Sequence, residues 1–228
     1  MFTNNFDPVA FTLFALEIRW YSLAYIFGIL FGWFYCKKFL IRDKIISSLF
    51  DDLVTYLIIG IIVGGRLGYV LIYNIKYYLN NVIEILFIWE GGMSFHGGLI
   101  GIFFATYLFS RKHKINKYIF LDLISVSAPI GIFFGRIANF INGELIGKAT
   151  NGSWGIIFPK IDSIPRHPSQ LYESFLEGII LFIILNIIFF KKEYKTGTVS
   201  FGFLIFYGIF RFISEFFREP DIQIGYII

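Results

Sequence analysis

Apolar runs long enough to cross a bilayer recur along the whole chain, at about residues 19–36, 53–73, 95–110, 119–141, 168–190 and 199–217. A hydrocarbon core needs roughly 20 apolar residues of helix, because every backbone N–H and C=O inside it must be satisfied within the segment. Six such runs in 228 residues, with 57% hydrophobic residues and a mean hydropathy of +0.70, predict an all-α polytopic integral membrane protein of six transmembrane helices. The expected organisation is a single transmembrane domain over 1–228, with 142–166 as a short extracytoplasmic segment. The 30 phenylalanines, beside abundant Ile, Lys and Asn, match an AT-rich coding bias and carry no functional weight. Met1 to Leu16 lacks a basic n-region and a cleavage site, so the first span is expected to be retained.

The cations set the orientation. Of 20 Lys and Arg, eleven fall in the loops after spans 1, 3 and 5: Lys37, Lys38, Arg42, Lys44; Arg111, Lys112, Lys114, Lys117; Lys191, Lys192 and Lys195. The opposite side holds five, namely Lys76, Lys148, Lys160, Arg166 and Arg218, and four lie within spans. By the positive-inside rule the odd loops are cytoplasmic and the N-terminus is outside. The net charge of +4 follows from this topology, and no aromatic-interleaved basic patch points to nucleic acid. One cysteine, Cys36, excludes an internal disulfide and a multi-thiolate metal site.

With that orientation the polar residues of the spans gather near the outer face. Arg19 and Tyr21 open span 1, Arg66 lies in the outer half of span 2, and His96 opens span 3. Arg136 and Asn139 close span 4, His167 and Gln170 open span 5, and Arg211, Glu215 and Arg218 close span 6. Ionisable residues at such depth are costly and need a use, so a polar cavity toward the outer leaflet is implied. Arg136 and Asn139 share a helix face, as do Arg211, Glu215 and Arg218. No acid within a turn upstream of Arg136 neutralises it. Guanidiniums facing one cavity repel unless an anion lies between them, and their forks suit phosphate oxygens, so a phospholipid headgroup is the expected ligand. A salt-bridge ladder anchoring the helix end is the plainer reading of Glu215; an ion pair with a neighbouring glutamate is that of Arg66. Lys148, Lys160 and Glu177 read as solvated or structural.

His96, in GGMSFHGGLIG, and His167, in RHPSQLYE, are two neutral imidazoles suited to accept a proton near neutral pH, and the sequence leaves open which is the base. Glu144 and Glu173 show no metal-ligand spacing with them, so no metal and no cofactor are expected. Ser94 and Ser169 have neither a GxSxG context nor an orienting Asp, so the nucleophile is expected to come from a substrate. Two other classes fit less well, since no internal repeat is present and the inner half of every span is apolar. An anion transporter should show internal repeats and a polar path to both faces. An intramembrane protease needs a Ser/His or paired-Asp site, and Asp122 is the sole Asp inside a span.

Seven blocks then resemble one family in order: FDPVAF (6–11), IRWYSLAY (18–25), GGRLGYVLIYN (64–74), WEGGMSFHGGLIG (89–101), GRIANFINGELIG (135–147), RHPSQLYE (166–173) and RFISEFFREPD (211–221). They look like those of the prolipoprotein diacylglyceryl transferases of the bacterial inner membrane. The resemblance implies an enzyme that moves the diacylglyceryl group of phosphatidylglycerol onto the lipobox cysteine of a preprolipoprotein. It implies phosphate-handling roles for Arg136 and Arg211, and catalytic roles for His96 and Tyr21. Asn139, Glu144 and Gly147 become polar signature residues, while Arg66, Glu215 and His167 stand as headgroup contacts. Such proteins usually continue past the REPD block into a seventh helix, which is expected to be missing here.

Overall fold

The structure, a computed structural model, describes residues 1–14 and 16–220. It divides into two compact units, Met1–Cys36 with the chain from Asp122 onward, and Lys37–Leu121.

In the first unit, α1 (Trp20–Tyr35) continues as a π-turn through Cys36–Leu40. It packs against α5 (Lys117–Asn142), where a Cβ added at Gly28 would lie 2.8 Å from the Gly131 Cα, so the backbones touch without side chains between them. The fifth run forms one span, Ser169–Phe189, made of α6 (Ser169–Glu173), a π-segment (Ser174–Ile180) and α7 (Leu181–Phe189). It is followed by α8 (Thr198–Glu215). The start of α8 has no side-chain cap of its own. Buried Asp122 supplies one from α5, accepting from the Gly197 N–H at 2.6 Å and the Ser200 N–H at 2.8 Å. That use explains a carboxylate in the span interior.

The structure is mostly helical, as expected of an all-α polytopic membrane protein, and adds a few short strands that the sequence did not assign. β2 (Val9–Leu13) and β3 (Leu16–Arg19) form a hairpin leading straight into α1. β1 (Phe2–Thr3) pairs in parallel with β4 (Ile156–Ile157), which pairs antiparallel with β5 (Pro165–Arg166). The segment 142–166 is thus tied to the N-terminus, over a small core of Phe140, Ile156 and Phe158. Asn4 fixes the joint by donating to the Phe140 carbonyl at 2.6 Å.

In the second unit, α2 (Lys44–Ile72) starts nine residues before the expected run, because Asp43 caps it by accepting from Ile45 and Ile46 N–H groups. α2 packs on α4 (Phe95–His113) along two small-residue stripes, Gly60/Gly64/Gly68 and Gly97/Gly101/Ala105. A Cβ at Gly64 would sit 2.8 Å from the Gly101 Cα, so only glycine permits this approach. Between them run α3 (Ile75–Asn80) and 3-10 turns at Val82–Leu86 and Ile88–Glu90. Their polarity is inverted: Leu79, Val82, Ile83 and Leu86 point outward, while Glu84 is half-buried and accepts from the Tyr77 hydroxyl at 2.5 Å.

Among the described residues five helices are long and apolar enough to cross a membrane: Trp20–Leu40, Lys44–Ile72, Lys117–Asn142, Ser169–Phe189 and Thr198–Glu215. The third run, 95–110, is present as α4, but its glycines and basic last turn leave it short of the same apolarity. The end of the REPD block and the QIGYII stretch, on which the expectation about a seventh helix rests, lie outside the described residues.

Candidate active site

The arginine of GRIANFINGELIG and the arginine of RFISEFFREP meet within the first unit, and they meet on a carboxylate. Glu173, fully buried, reaches Arg136 Nε with one oxygen at 2.9 Å and Arg211 Nη1 with the other at 2.6 Å. The Arg136 contact is an ion pair, and that Glu173 oxygen accepts no hydrogen bond among the described residues. Arg136 Nη2 also donates to Glu177 at 3.1 Å, and Arg211 Nη2 to Glu215 at 2.6 Å. Helical spacing produces the set: Glu173 and Glu177 lie one turn apart on the fifth span, Arg211 and Glu215 one turn apart on α8. Tyr207, a further turn back on α8, is within electrostatic range of both arginines.

Of its two sequence readings, solvated or structural, Glu177 takes the structural one, buried and paired with Arg136. One sequence expectation changes. The anion between the arginines is supplied by the chain itself, so repulsion alone does not require a ligand. The phosphate reading keeps a different basis. Arg136 engages Nε and one N–H of Nη2, and Arg211 uses two N–H groups, so each fork retains donors without a partner among the described residues. The signal for Glu173 and Glu177 was available as two acids one turn apart in a span.

Asn139, also buried, donates to Glu144 at 3.0 Å, and Asn142 donates to the other carboxylate oxygen at 3.2 Å. Gln170 holds the same turn by donating to the Glu144 carbonyl at 2.5 Å. The exposed Glu144 carboxylate is therefore fixed at the end of α5. Tyr21, on the first turn of α1, lies within range of the charges of Glu144 and Arg136, and its hydroxyl is 3.4 Å from that of Tyr25. Gly147 is a close-approach position: an added Cβ would collide with the His167 carbonyl and come within 2.8 Å of the Phe217 carbonyl. His167 rests on Phe217, ring centroids 5.3 Å apart, with Nδ1 3.2 Å from the Tyr172 hydroxyl.

Arg66 and His96 belong to the second unit. Arg66 is buried, and among the described residues it pairs with no acid. It donates to four backbone carbonyls, those of Glu84, Ile85, Gly91 and Gly92, at 2.6 to 3.3 Å, and stacks over Tyr78. The ion pair expected from sequence is replaced by a clamp on the segment after α3. His96 is exposed in the first turn of α4, after the Ser94 cap, with its ring against Phe95.

The family model described as prolipoprotein diacylglyceryl transferase matches residues 8–228. The chain belongs to that family. Relatives named phosphatidylglycerol--prolipoprotein diacylglyceryl transferase include one from Rickettsia felis, 54% identical over 98% of this chain and 88% of its own length. One from Rickettsia bellii is 55% identical over 98% of this chain and 86% of its own. One from Rickettsia canadensis is 53% identical over 100% and 90%. With its apolar spans, the chain is a multi-pass bacterial membrane protein and a transferase of this family.

Proposed function

We propose that this chain transfers the diacylglyceryl group of phosphatidylglycerol to the lipobox cysteine thiol in the signal peptide of a preprolipoprotein, the first step of lipoprotein lipidation. The observation that carries the site reading is the pair of guanidiniums held by one buried glutamate in a transferase of this family. Glu173, Glu177 and Glu215 fix the two forks and leave outward donors for phosphate oxygens. Pre-positioned donors of this kind stabilise charge that develops on a leaving group.

The reaction has a balanced form. The cysteine thiolate attacks the glycerol carbon that bears the phosphodiester. A C–S thioether bond forms, the C–O bond to phosphate breaks, and glycerol phosphate departs with the bonding pair. A free thiol has a pKa of ~8.5 and is mostly protonated near neutral pH, so a base must take its proton. His96 is that base in our reading: it is exposed, whereas His167 engages Tyr172. Asn139 and Glu144 position the substrate beside Tyr21, and Gly147 keeps the adjoining backbone close. His167 and Glu215 border the headgroup, while Arg66 acts through the segment it clamps.

The loop charges support six spans, an extracytoplasmic N-terminus, a site toward the outer leaflet of the inner membrane, and the short outer segment 142–166 within one transmembrane domain. The deciding test is mass spectrometry of a lipobox peptide incubated with the purified chain and phosphatidylglycerol. A diacylglyceryl mass gain on the cysteine is expected, reduced about 100-fold or more in rate by Arg136→Ala. Near-wild-type turnover of that variant would refute the phosphate role.

A further inference from the structure

Two helices of the second unit carry their own caps: Asp43 starts α2 and Ser94 starts α4, each from the residue just before the helix. α8 does not. The equivalent position is Gly197, whose φ of +99° suits glycine and which has no side chain to offer. Its cap comes from Asp122, 75 positions earlier on α5. One Asp122 oxygen accepts from the Gly197 N–H, and the other from both the N–H and the hydroxyl of Ser200. Asp122 is fully buried, and a carboxylate in that place is costly. A serine or asparagine just before α8 would serve the same N–H groups with less penalty. What the distant cap adds is a bond between two helices.

We infer that Asp122 is a positioning residue for the transfer reaction, setting the height of α8 against α5 and with it the spacing of Arg211 from Arg136. The inference rests on the proposed function, which puts the phosphate on those two forks. Arg136 lies 14 residues beyond Asp122 on α5, and Arg211 lies 11 residues beyond Ser200 on α8, about 21 Å and 17 Å of helix rise. Just past the far ends of both helices the chain ties them again: the Lys148 N–H donates to the Phe217 carbonyl at 2.9 Å, and the Glu219 N–H to the Ile146 carbonyl at 3.0 Å. Glu173 stands between the two ties and takes one arginine on each oxygen. A slip of α8 by one residue of rise, ~1.5 Å, would draw Arg211 away from Glu173 and from the phosphate. Misplacements near 1 Å typically cost ~100-fold in rate. Pro129, between Asp122 and Arg136, removes one backbone hydrogen bond from α5, so this stretch holds its shape less firmly by itself.

The test is a double-mutant cycle on the full chain. Asp122→Asn keeps the volume and one acceptor, and loses the charge and the second acceptor. It should lower kcat for transfer to a lipobox peptide by about tenfold, with the peptide KM unchanged. In an Arg211→Ala background the same change should lower kcat no further, because its effect runs through that arginine. Asp43→Ala removes a local cap of the same kind from α2, and should lower the unfolding midpoint while leaving kcat unchanged. Ser200→Ala removes only the hydroxyl donor and should cost about threefold, which keeps the cycle answerable if Asp122→Asn folds poorly. Unchanged kcat in both α5–α8 variants would overturn the inference. So would a loss that multiplies with that of Arg211→Ala, or an equal kcat loss in Asp43→Ala; either would leave Asp122 as a helix cap alone. The same cycle read as equilibrium binding of phosphatidylglycerol, by native mass spectrometry, needs no turnover. Coupling there without transfer would keep the positioning role and remove the reaction, and no phosphatidylglycerol binding by wild type would remove both.

Discussion

Glu173 is the residue on which the site turns. It is fully buried and faces two guanidiniums, so its charge is what makes their burial tolerable. Removing one member of a buried ion pair strands the other and typically costs ~3–5 kcal/mol. Glu173→Gln should therefore lower the thermal unfolding midpoint well below that of Glu215→Gln, whose carboxylate is about half exposed. Unfolding of both variants in detergent checks this, and equal midpoints would show that Glu173 is not the centre of the cluster. The arginines were legible in the sequence because a cation in an apolar run has no innocent explanation. Their partner was not, since Glu173 and Arg211 are 38 positions apart and no periodicity links them. The sequence reading consequently put a ligand's phosphate where the chain has its own carboxylate.

At the scale of elements, the apolar runs announced the helices but not their ends. α2 begins at Lys44 because of the Asp43 cap, and the strand pairs of two residues each are too short to carry any alternation. Nor could sequence reveal that Arg66 serves a neighbouring segment, because backbone carbonyls are available everywhere. The geometry gives a discriminating prediction. Lysine keeps the charge but lacks the planar fork that reaches four carbonyls, so Arg66→Lys should release Val82–Leu86 and the Gly91–Gly92 turn. Hydrogen exchange over 82–92 should rise in that variant, with exchange in α5 and α8 unchanged. A direct phosphate ligand would instead show a raised KM for phosphatidylglycerol and unaltered exchange. In the first unit, 142–166 is held by Arg166, which donates to Asp162 at 2.6 Å and to the Gly147 carbonyl at 3.1 Å. The Arg166 hydrogen bond holds the Asp162 carboxyl below its ordinary value. A depressed folded pKa stabilises above the unfolded value of ~3.9 and loses that contribution as pH falls through the folded one. Protease sensitivity of 142–166 should therefore rise below about pH 4 in wild type. Asp162→Asn should show that sensitivity already at pH 7.

For the molecule as a whole, the arrangement of polarity is reversed from that of a soluble protein. Phe31, Ile59, Phe104, Ile187 and Leu204 are among many large apolar side chains left exposed, while Glu173, Glu177, Gln170 and Asp122 are fully buried. Bilayer solvent explains both halves, since lipid accepts apolar surface and every intramembrane polar group must find a partner. This much was legible from composition and run length. The partition into two units was not, because it depends on which spans press together, and the glycine stripes that decide it look like any other small residues in a hydrophobic run. Orientation remains the property on which the site's access to its substrates depends, and the lone cysteine makes it testable. Cys36 is fully buried and donates to the Leu123 carbonyl, so it should be silent toward polar thiol reagents. Single cysteines placed at Lys114 and Lys192, in basic loops, should stay unlabelled by a membrane-impermeant maleimide in intact spheroplasts and react once the membrane is opened. A cysteine at Lys160, exposed in the 142–166 segment, should react in both states. The opposite pattern would put Arg136 and Arg211 at the cytoplasmic face, where a signal peptide emerging on the outer side could not reach them, and would remove the proposed reaction along with the topology.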